Sequence, residues 1–277
     1  MDGTFSYSTK FFLQLFTIHG FENGHYVPLA YCLLKDKLSM TYKHLFSLLK
    51  SKIFETFELS LEPTEIFVDF EKAIHCALLS VWPNVKISGC RFHLHQNWFK
   101  KIQSLGLVQE YKDTNSEIGK WLRHTFGLTY LNPVDVEDCF VYDLMSYKPK
   151  NASLDLYADY LLENYIIDSA LFPPHIWSNQ NPSIARTTNA CESFHSRFNS
   201  SFYSTHPSIF TFIEKLKEFQ VETYVKINSL KIPAKVKDNT VKAKLVFMEK
   251  MVDKLRSQQI CRLDFIKAIS YHSYNSK

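Results

Sequence analysis

Apolar residues near the start of the chain follow the pattern of β-strands. The run from Phe11 to Ile18 is rich in aromatic and β-branched side chains, which favour strands. Residues 21–25 then supply a turn that contains Gly24, and residues 26–34 form a second apolar run. Two such runs joined by a short glycine-containing segment predict a β-hairpin. The pattern therefore predicts strands within residues 4–34.

The spacing of apolar residues changes to a helical period at Thr41. From there, apolar side chains recur every three or four residues for about three turns. The elements predicted after this helix are a short strand at 65–69, a helix at 71–82, a strand at 86–90 and a helix at about 93–106. A hairpin followed by alternating strands and helices predicts an α/β fold with a mixed sheet and helices packed on it.

Residues 107–185 have no strand pattern. Apolar side chains at helical spacing continue through this region, with breaks at Pro133, Pro149 and Pro173-Pro174. We interpret the region as an all-helical insertion. The predicted organisation is a core of strands and first helices at 1–106, the insertion at 107–185, a helix returning to the core at 186–210, and C-terminal helices at 211–277.

The composition is that of an ordinary globular protein, with 45% apolar and 22% charged residues in 277. No glycine-rich phosphate-binding loop occurs, so nucleotide binding through such a loop is not expected. The chain has no signal segment and no run of about 18 apolar residues, so we expect neither secretion nor a membrane partner. Six cysteines stand singly, which is typical of reduced thiols in a cytosolic or nuclear protein.

Positive charge is concentrated late in the chain. Residues 211–277 hold 14 Lys and Arg against 7 Asp and Glu, whereas the first 210 residues hold 18 against 21. A basic C-terminal part beside a nearly neutral body fits contact with a polyanion. A solvated, lysine-rich helix face is an equally good interpretation of the same pattern.

Three acidic residues stand at positions suited to chemistry. Asp2 opens the chain, Asp69 follows the apolar run at 66–68, and Glu192 stands where a helix should begin. Carboxylates from separate points of an α/β chain can together hold two Mg²⁺ ions, which prefer hard oxygen ligands. Each acid alone has a simpler interpretation, since Asp69 could cap the helix that follows it.

Cysteine and histidine also occur at the spacing of metal ligands. Cys90 and His93 form a C-x-x-H motif, and Cys191 with His195 could supply a second pair for zinc. We favour instead a buried Cys90 and a His93 near a helix N-terminus. Glu192 and His195 are three residues apart, so both project from one helix face and could bind a metal or hold a scissile phosphate. A solvent-facing pair is the simpler alternative.

Several short motifs together resemble the transposases of Mutator-like elements (MULE). In chain order they are Asp2-Gly3-Thr4-Phe5 and the stretches at 14–20, 27–31, 69–73, 89–97 and 186–195. The resemblance extends from residue 2 to about residue 200. It implies a ribonuclease H-like fold, with a mixed sheet, flanking helices and an all-helical insertion before the last catalytic helix.

The same resemblance implies a chemistry. Asp2, Asp69 and Glu192 match the catalytic, metal-binding Asp-Asp-Glu set of the family, which binds two Mg²⁺ (or Mn²⁺) ions and cuts and rejoins DNA by phosphoryl transfer. Cys90 and His93 match the C-x-x-H motif of the family. Zinc is the less favoured cofactor.

Partners and location follow from the resemblance as further expectations. The partners are DNA, both transposon ends and target, and a second copy in a homodimer; the location is the nucleus. The basic residues expected to contact DNA are Arg91, Lys100, Lys101, Arg186 and Arg197.

The printed sequence starts one residue before Asp2 and does not include the DNA-binding zinc module that usually precedes the core in this family. We therefore expect a truncated or domesticated transposase, in which Asp2 is loosely held because its strand is short. The alternative function is a non-catalytic DNA-binding protein derived from a transposase. A zinc-stabilised interaction module is a third, less favoured interpretation.

Overall fold

The computed structural model describes residues 1–5, 8–180, 189–229 and 239–274. The chain forms two compact units, and each unit draws on two separate segments. Unit 1 comprises Met1–Cys90 and Thr187–Lys235, and unit 2 comprises Arg91–Arg186 and Val236–Lys277. None of the described helices combines the length and the apolar composition that crossing a lipid bilayer requires.

Unit 1 begins with an antiparallel sheet built on a hairpin. Its strands are β1 (Asp2–Thr4), β2 (Gln14–Glu22) and β3 (His25–Leu34), in the order β1-β2-β3. Asn23 and Gly24 have φ of 49° and 80°, as both central residues of a tight type I′ turn require. The predicted hairpin is thus confirmed.

A parallel pair of strands follows in the same unit. β4 (Glu65–Val68) pairs with β5 (Lys86–Gly89), and α2 (Lys72–Val81) lies between them in the chain. The Met1 amino group donates a hydrogen bond of 2.8 Å to the Phe67 carbonyl. Since β1 also pairs with β2, the strand that carries Asp2 lies between β2 and β4.

Helices pack on the two faces of β2. Phe16 belongs to a buried cluster with Tyr42 and Phe46 of α1 (Ser39–Phe57) and with α2. Its neighbour Leu15 belongs to a second cluster, made with α9 (Asn189–Ser200) and α10 (Ile209–Asn228). Successive side chains of a strand point to opposite faces, so the sheet is covered by helices on both sides.

Unit 2 is helical throughout its described residues. Its described α-helices are α3 (Arg91–Ser104), α4 (Val108–Lys112), α5 (Glu117–Gly127), α6 (Pro133–Asp138), α7 (Ala152–Leu161), α8 (Pro174–Trp177), α11 (Asn239–Arg256) and α12 (Arg262–Tyr274). Short 3₁₀ segments at Leu128–Tyr130 and Met145–Tyr147 and π segments at Cys139–Leu144 and Leu162–Ile166 connect them.

The core of unit 2 is aromatic. The Trp98 ring meets the rings of Phe126, Tyr165 and Trp177 edge-on, with centroids 5.6–5.8 Å apart. Such edge contacts are a preferred arrangement of aromatic rings and add to the free energy gained from their burial. A Cβ at Gly127 would lie 2.5 Å from the Ile266 carbonyl oxygen, so glycine allows α5 and α12 to approach closely.

The mixed α/β class is confirmed, and the start of one strand differs from the prediction. β2 begins at Gln14 rather than Phe11, because the Phe12 amide donates to the Thr9 carbonyl and forms a turn that leaves Phe11 76% exposed. α3, which the sequence places at the end of the core at 1–106, belongs to unit 2. The predicted domain bounds stay a prediction. The buried face of α3, which includes Trp98, packs against helices of that unit.

The C-terminal basic helices are divided between the two units. α10 belongs to unit 1, and α11 and α12 belong to unit 2.

Candidate functional site

Asp2 is buried in unit 1 and its carboxylate has defined partners. The residue is only 7% exposed. The Gly3 amide donates to Oδ1 at 2.9 Å, and Nδ1 of His195 lies 3.3 Å from Oδ2. The first acid is therefore held in one orientation, in contrast to the loose attachment expected from the short strand.

His195 links Asp2 to a hydroxyl. Its Nε2 lies 2.9 Å from the Thr17 Oγ1, and Thr17 stands opposite Asp2 in the sheet register. The three groups form a hydroxyl–imidazole–carboxylate chain. Thr17 has no exposed surface, so this chain presents no nucleophile to a substrate and instead orients the Asp2 carboxylate.

The helix that carries the third acid lies along the first strand. Cys191 contacts the Met1 amino group, and Asn199 Nδ2 donates to Thr4 Oγ1 at 3.2 Å. Cys191, His195 and Asn199 thus all contact the segment at residues 1–4. They are four residues apart, so they lie on one face of the helix. Glu192 stands in the first turn of α9 beside this face and is half-buried.

Asp69 directly follows β4, at the carboxyl end of that strand. The buried His75 donates from Nε2 to the Asp69 carbonyl at 2.8 Å. Burial lowers the pKa of His75, and the hydrogen bond to Asp69 opposes that shift. Phe70 packs over Gly89, where a Cβ would lie 2.4 Å from the ring. The backbone at Asp69 is thus fixed from two sides.

These contacts place the strand of Asp2 beside both the strand that ends at Asp69 and the helix of Glu192. A set of three carboxylates fits the preference of Mg²⁺ or Mn²⁺ for hard oxygen ligands.

Two of the zinc ligands weighed from the sequence, Cys191 and His195, have other contacts in unit 1. Both ring nitrogens of His195 face Asp2 and Thr17. Burial raises the pKa of the Cys191 thiol to about 11. Cys90 is fully buried and its amide donates to the Val68 carbonyl. In this arrangement Cys191 and His195 support β1.

Residues 1–97 match the family model of the MULE transposase domain. This part of the chain is similar to the MULE transposase domain. The resemblance drawn from the short motifs is confirmed over these residues. No curated protein and no solved structure matches the chain.

The match to the MULE transposase domain includes Asp2, Asp69, Cys90 and His93, and it ends before Glu192. Glu192 lies outside the matched residues, and only the contacts of its helix, α9, with residues 2 and 4 place it beside them. The roles of the three acids stay predictions.

His19 and His75, which lie within the matched residues 1–97, were not singled out from the sequence. His19 lies edge-on to Phe194 of α9, with centroids 5.5 Å apart. Burial, followed by the charges of the Met1 amino group and His195, lowers its pKa to about 3, so the ring is neutral. The sequence gives only weak signals for these two residues. His19 lies within a strand motif, and His75 follows the strand-end acid Asp69 by six residues.

In unit 2, two of the basic residues predicted to contact DNA lie over aromatic rings. The Arg91 guanidinium is 4.0 Å from the Tyr130 ring centroid, and the Lys101 Nζ is 5.1 Å from that of Tyr160. Lys100 is exposed. Their role in DNA binding stays a prediction.

In unit 1, Arg197 forms a 2.7 Å ion pair with Glu222 and lies over the Phe219 ring. A phosphate would have to compete with this carboxylate for the guanidinium. Arg186, also predicted to contact DNA, lies outside the described residues.

Proposed function

We propose that the chain is the catalytic part of a MULE-type DNA transposase, in which Asp2, Asp69 and Glu192 hold two Mg²⁺ or Mn²⁺ ions and DNA strands are cut and transferred. The observation that carries the proposal is the 3.3 Å contact between His195 and Asp2. It joins the helix of the third acid to the strand of the first, although 192 residues separate them in the chain. The match to the MULE transposase domain supports it.

A ribonuclease H-like arrangement of strands is part of the proposal. The order β3-β2-β1 in one sheet and β4-β5 in the other is bridged by the Met1–Phe67 hydrogen bond. Read across that bridge, the order is β3-β2-β1-β4-β5, with an antiparallel hairpin on one side and a parallel pair on the other. Helices on both faces are consistent with it.

In this mechanism the protein positions ligands and substrate. The ions, when bound, would activate a water or a DNA 3′-hydroxyl and stabilise the leaving oxygen in an in-line displacement. His195 and the Gly3 amide hold the Asp2 carboxylate. His75 and Phe70 fix the backbone at Asp69. Such support matters because a shift of about 1 Å in a catalytic group can lower a rate by ~100-fold.

The direct test is metal-dependent nicking of supercoiled plasmid DNA. We expect nicking in Mg²⁺ or Mn²⁺ that disappears in Asp69→Asn and in Glu192→Gln, with circular dichroism showing that both variants fold. Glu22→Gln, a change at an exposed carboxylate of the same unit, is the matched control and should nick normally. Nicking that persists unchanged in Asp69→Asn contradicts the proposal.

A non-catalytic DNA-binding protein derived from a transposase is the second candidate. The observation that favours it is the excess of basic residues at 211–277. It predicts DNA binding that weakens steeply as salt rises, with no nicking in either metal and no change in affinity for Asp69→Asn. Binding that is absent at low salt would remove this candidate. For either function, the nucleus is the proposed location.

A further inference from the structure

Unit 2 contains a cavity that is lined mainly by α5 and α12, and we call it the α5–α12 cavity. Its volume is about 510 Å³, within the range of ~300–1,000 Å³ that small-molecule sites occupy. The side chains that give it its chemical character are Lys120, Arg123 and His124 of α5, Phe247 of α11, and Lys267 and Tyr271 of α12.

Positive charge dominates the lining of the α5–α12 cavity. Lys120, Arg123 and Lys267 are cationic, and none of the described lining residues is Asp or Glu. A cavity of unit 1 differs in this respect, because it contains Arg197 together with its ion-pair partner Glu222. A concave surface lined by charge of one sign attracts ligands of the opposite sign. The α5–α12 cavity is therefore suited to an anion.

The two cations of α5 keep their charge available. Arg123 donates to the backbone carbonyls of Tyr111 and Asp113, and these bonds fix the guanidinium without neutralising it, since a carbonyl has no formal charge. Lys120 forms a 2.7 Å ion pair with Glu117, but the two side chains are 44% and 77% exposed. Such an exposed pair contributes little free energy, so an anion in the cavity can attract Lys120 at small cost.

The cation of α12 acts on the same wall. The Lys267 Nζ lies 4.6 Å from the ring centroid of Tyr147, and the Tyr147 hydroxyl is hydrogen-bonded to Nδ1 of His124 at 2.9 Å. Burial, followed by the charges of Lys267 and Arg123, lowers the pKa of His124 to about 4. Cations from both helices thus act on one side chain of the lining. Groups with strongly shifted pKa values are concentrated at functional sites.

The lining also contains aromatic rings. Phe247 is half-buried and Tyr271 is 72% exposed, and both line the cavity. Aromatic side chains bind nucleobases by stacking, whichever base is present. Small-molecule sites characteristically combine aromatic walls with a few convergent polar groups. Cations beside aromatic rings match a ligand that has a phosphate at one end and a flat ring at the other.

We propose that the α5–α12 cavity binds a free nucleotide or a phosphate ester of similar size, with its phosphate at Lys120 and Lys267 and its ring against Phe247 and Tyr271. The inference does not depend on the proposed enzymatic function, whose three acids belong to unit 1. A small ligand fits better than duplex DNA does, because a cavity surrounds its ligand, whereas a duplex presents its phosphates on a convex surface.

Isothermal titration calorimetry of the full chain with adenosine monophosphate (AMP) tests the proposal. EDTA in the buffer removes divalent ions, so that AMP cannot bind through a metal held by unit 1. Adenosine lacks the phosphate and should bind about tenfold more weakly than AMP, or worse, because bonds to a charged group are lost. Ribose 5-phosphate lacks the ring and should bind more weakly by roughly fivefold or more.

Two variants separate the roles of charge and ring. Lys267→Met should reduce the affinity for AMP by about tenfold and leave that for adenosine unchanged. Tyr271→Leu should reduce the affinity for AMP by roughly fivefold and leave that for ribose 5-phosphate unchanged. Lys100→Met, at an exposed position of α3 in the same unit, is the matched control and should bind AMP like the wild type. Thermal unfolding shows that each variant is folded.

Four results would overturn the proposal. The first is no binding of AMP up to about 1 mM. The second is equal affinity for AMP and ribose 5-phosphate, and the third is wild-type affinity for AMP in Lys267→Met. The fourth is a short DNA duplex that displaces AMP and binds more weakly in both variants, since the cavity would then contact the DNA backbone. None of these results depends on whether the chain nicks DNA.

Discussion

Replacing His19 by Phe probes how strongly the buried imidazole makes the fold sensitive to acid. Both ring nitrogens of His19 are buried and have no hydrogen-bond partner among the described residues. A phenyl ring keeps the edge-on contact with Phe194 and removes two polar atoms that gain nothing from burial. Substituting an unsatisfied polar group by an apolar group of similar shape is neutral or stabilising.

The size of the effect follows from proton linkage. The pKa of His19 is about 3 in the folded protein, and its ordinary value, 6.5, applies in the unfolded chain. Between these values the unfolded chain binds the proton and the folded protein does not, so stability falls as pH decreases below 6.5. From pH 7.5 to 5.0 this one group lowers the free energy of unfolding by about 2 kcal/mol at most. Any folded pKa below about 4 gives the same result.

Urea unfolding followed by circular dichroism at pH 7.5 and 5.0, with EDTA present, measures the loss. His75 and His124, whose pKa values burial also lowers, contribute acid sensitivity of the same sign to both proteins. His19→Phe should therefore lose about 1–2 kcal/mol less than the wild type between the two pH values. His44→Phe, at an exposed position of α1, is the matched control. Equal losses in His19→Phe and wild type would refute the reasoning.

Two further substitutions test the packing of each unit. In unit 1, Gly89→Ala forces the rigid Phe70 ring away and should lower the free energy of unfolding by about 1–3 kcal/mol. In Gly20→Ala the nearest atoms belong to the flexible, exposed Leu29, so its urea midpoint should change less; equal shifts would count against the ring contact. In unit 2, Asn151 caps α7 by accepting from two amides, so Asn151→Ala should cost about 1 kcal/mol in thermal unfolding, and Asn151→Asp should restore it. No loss in the alanine variant would contradict the capping role.

Regular elements could be predicted from the sequence because their signals are local. The hairpin follows from two apolar runs around Asn23-Gly24, and α1 follows from apolar residues at helical spacing. The assignment of elements to units could not be predicted in the same way. The apolar face of α3 is equally compatible with a sheet or with other helices, and only the aromatic partners of Trp98 decide between them.

The candidate site also contains residues that local sequence predicts and residues that it does not. Asp2, Asp69 and Glu192 could be singled out because Asp2 opens a strand motif, Asp69 follows a strand, and Glu192 stands where a helix begins. The groups that hold Asp2 could not, since Thr17 and His195 meet it across long stretches of chain. Local sequence carries no signal for such contacts.

The division of unit 1 into Met1–Cys90 and Thr187–Lys235 has a consequence for biosynthesis. The first segment leaves the ribosome well before α9 and α10 exist to cover it. Translation at ~5–20 residues per second leaves roughly 5–20 s for the intervening stretch of about 100 residues. During that interval the face of the hairpin that contains Leu15 is not yet covered by α9 and α10. The nascent chain therefore exposes an apolar β-surface of the kind that chaperones bind. Unit 1 can mature only after synthesis has passed α10.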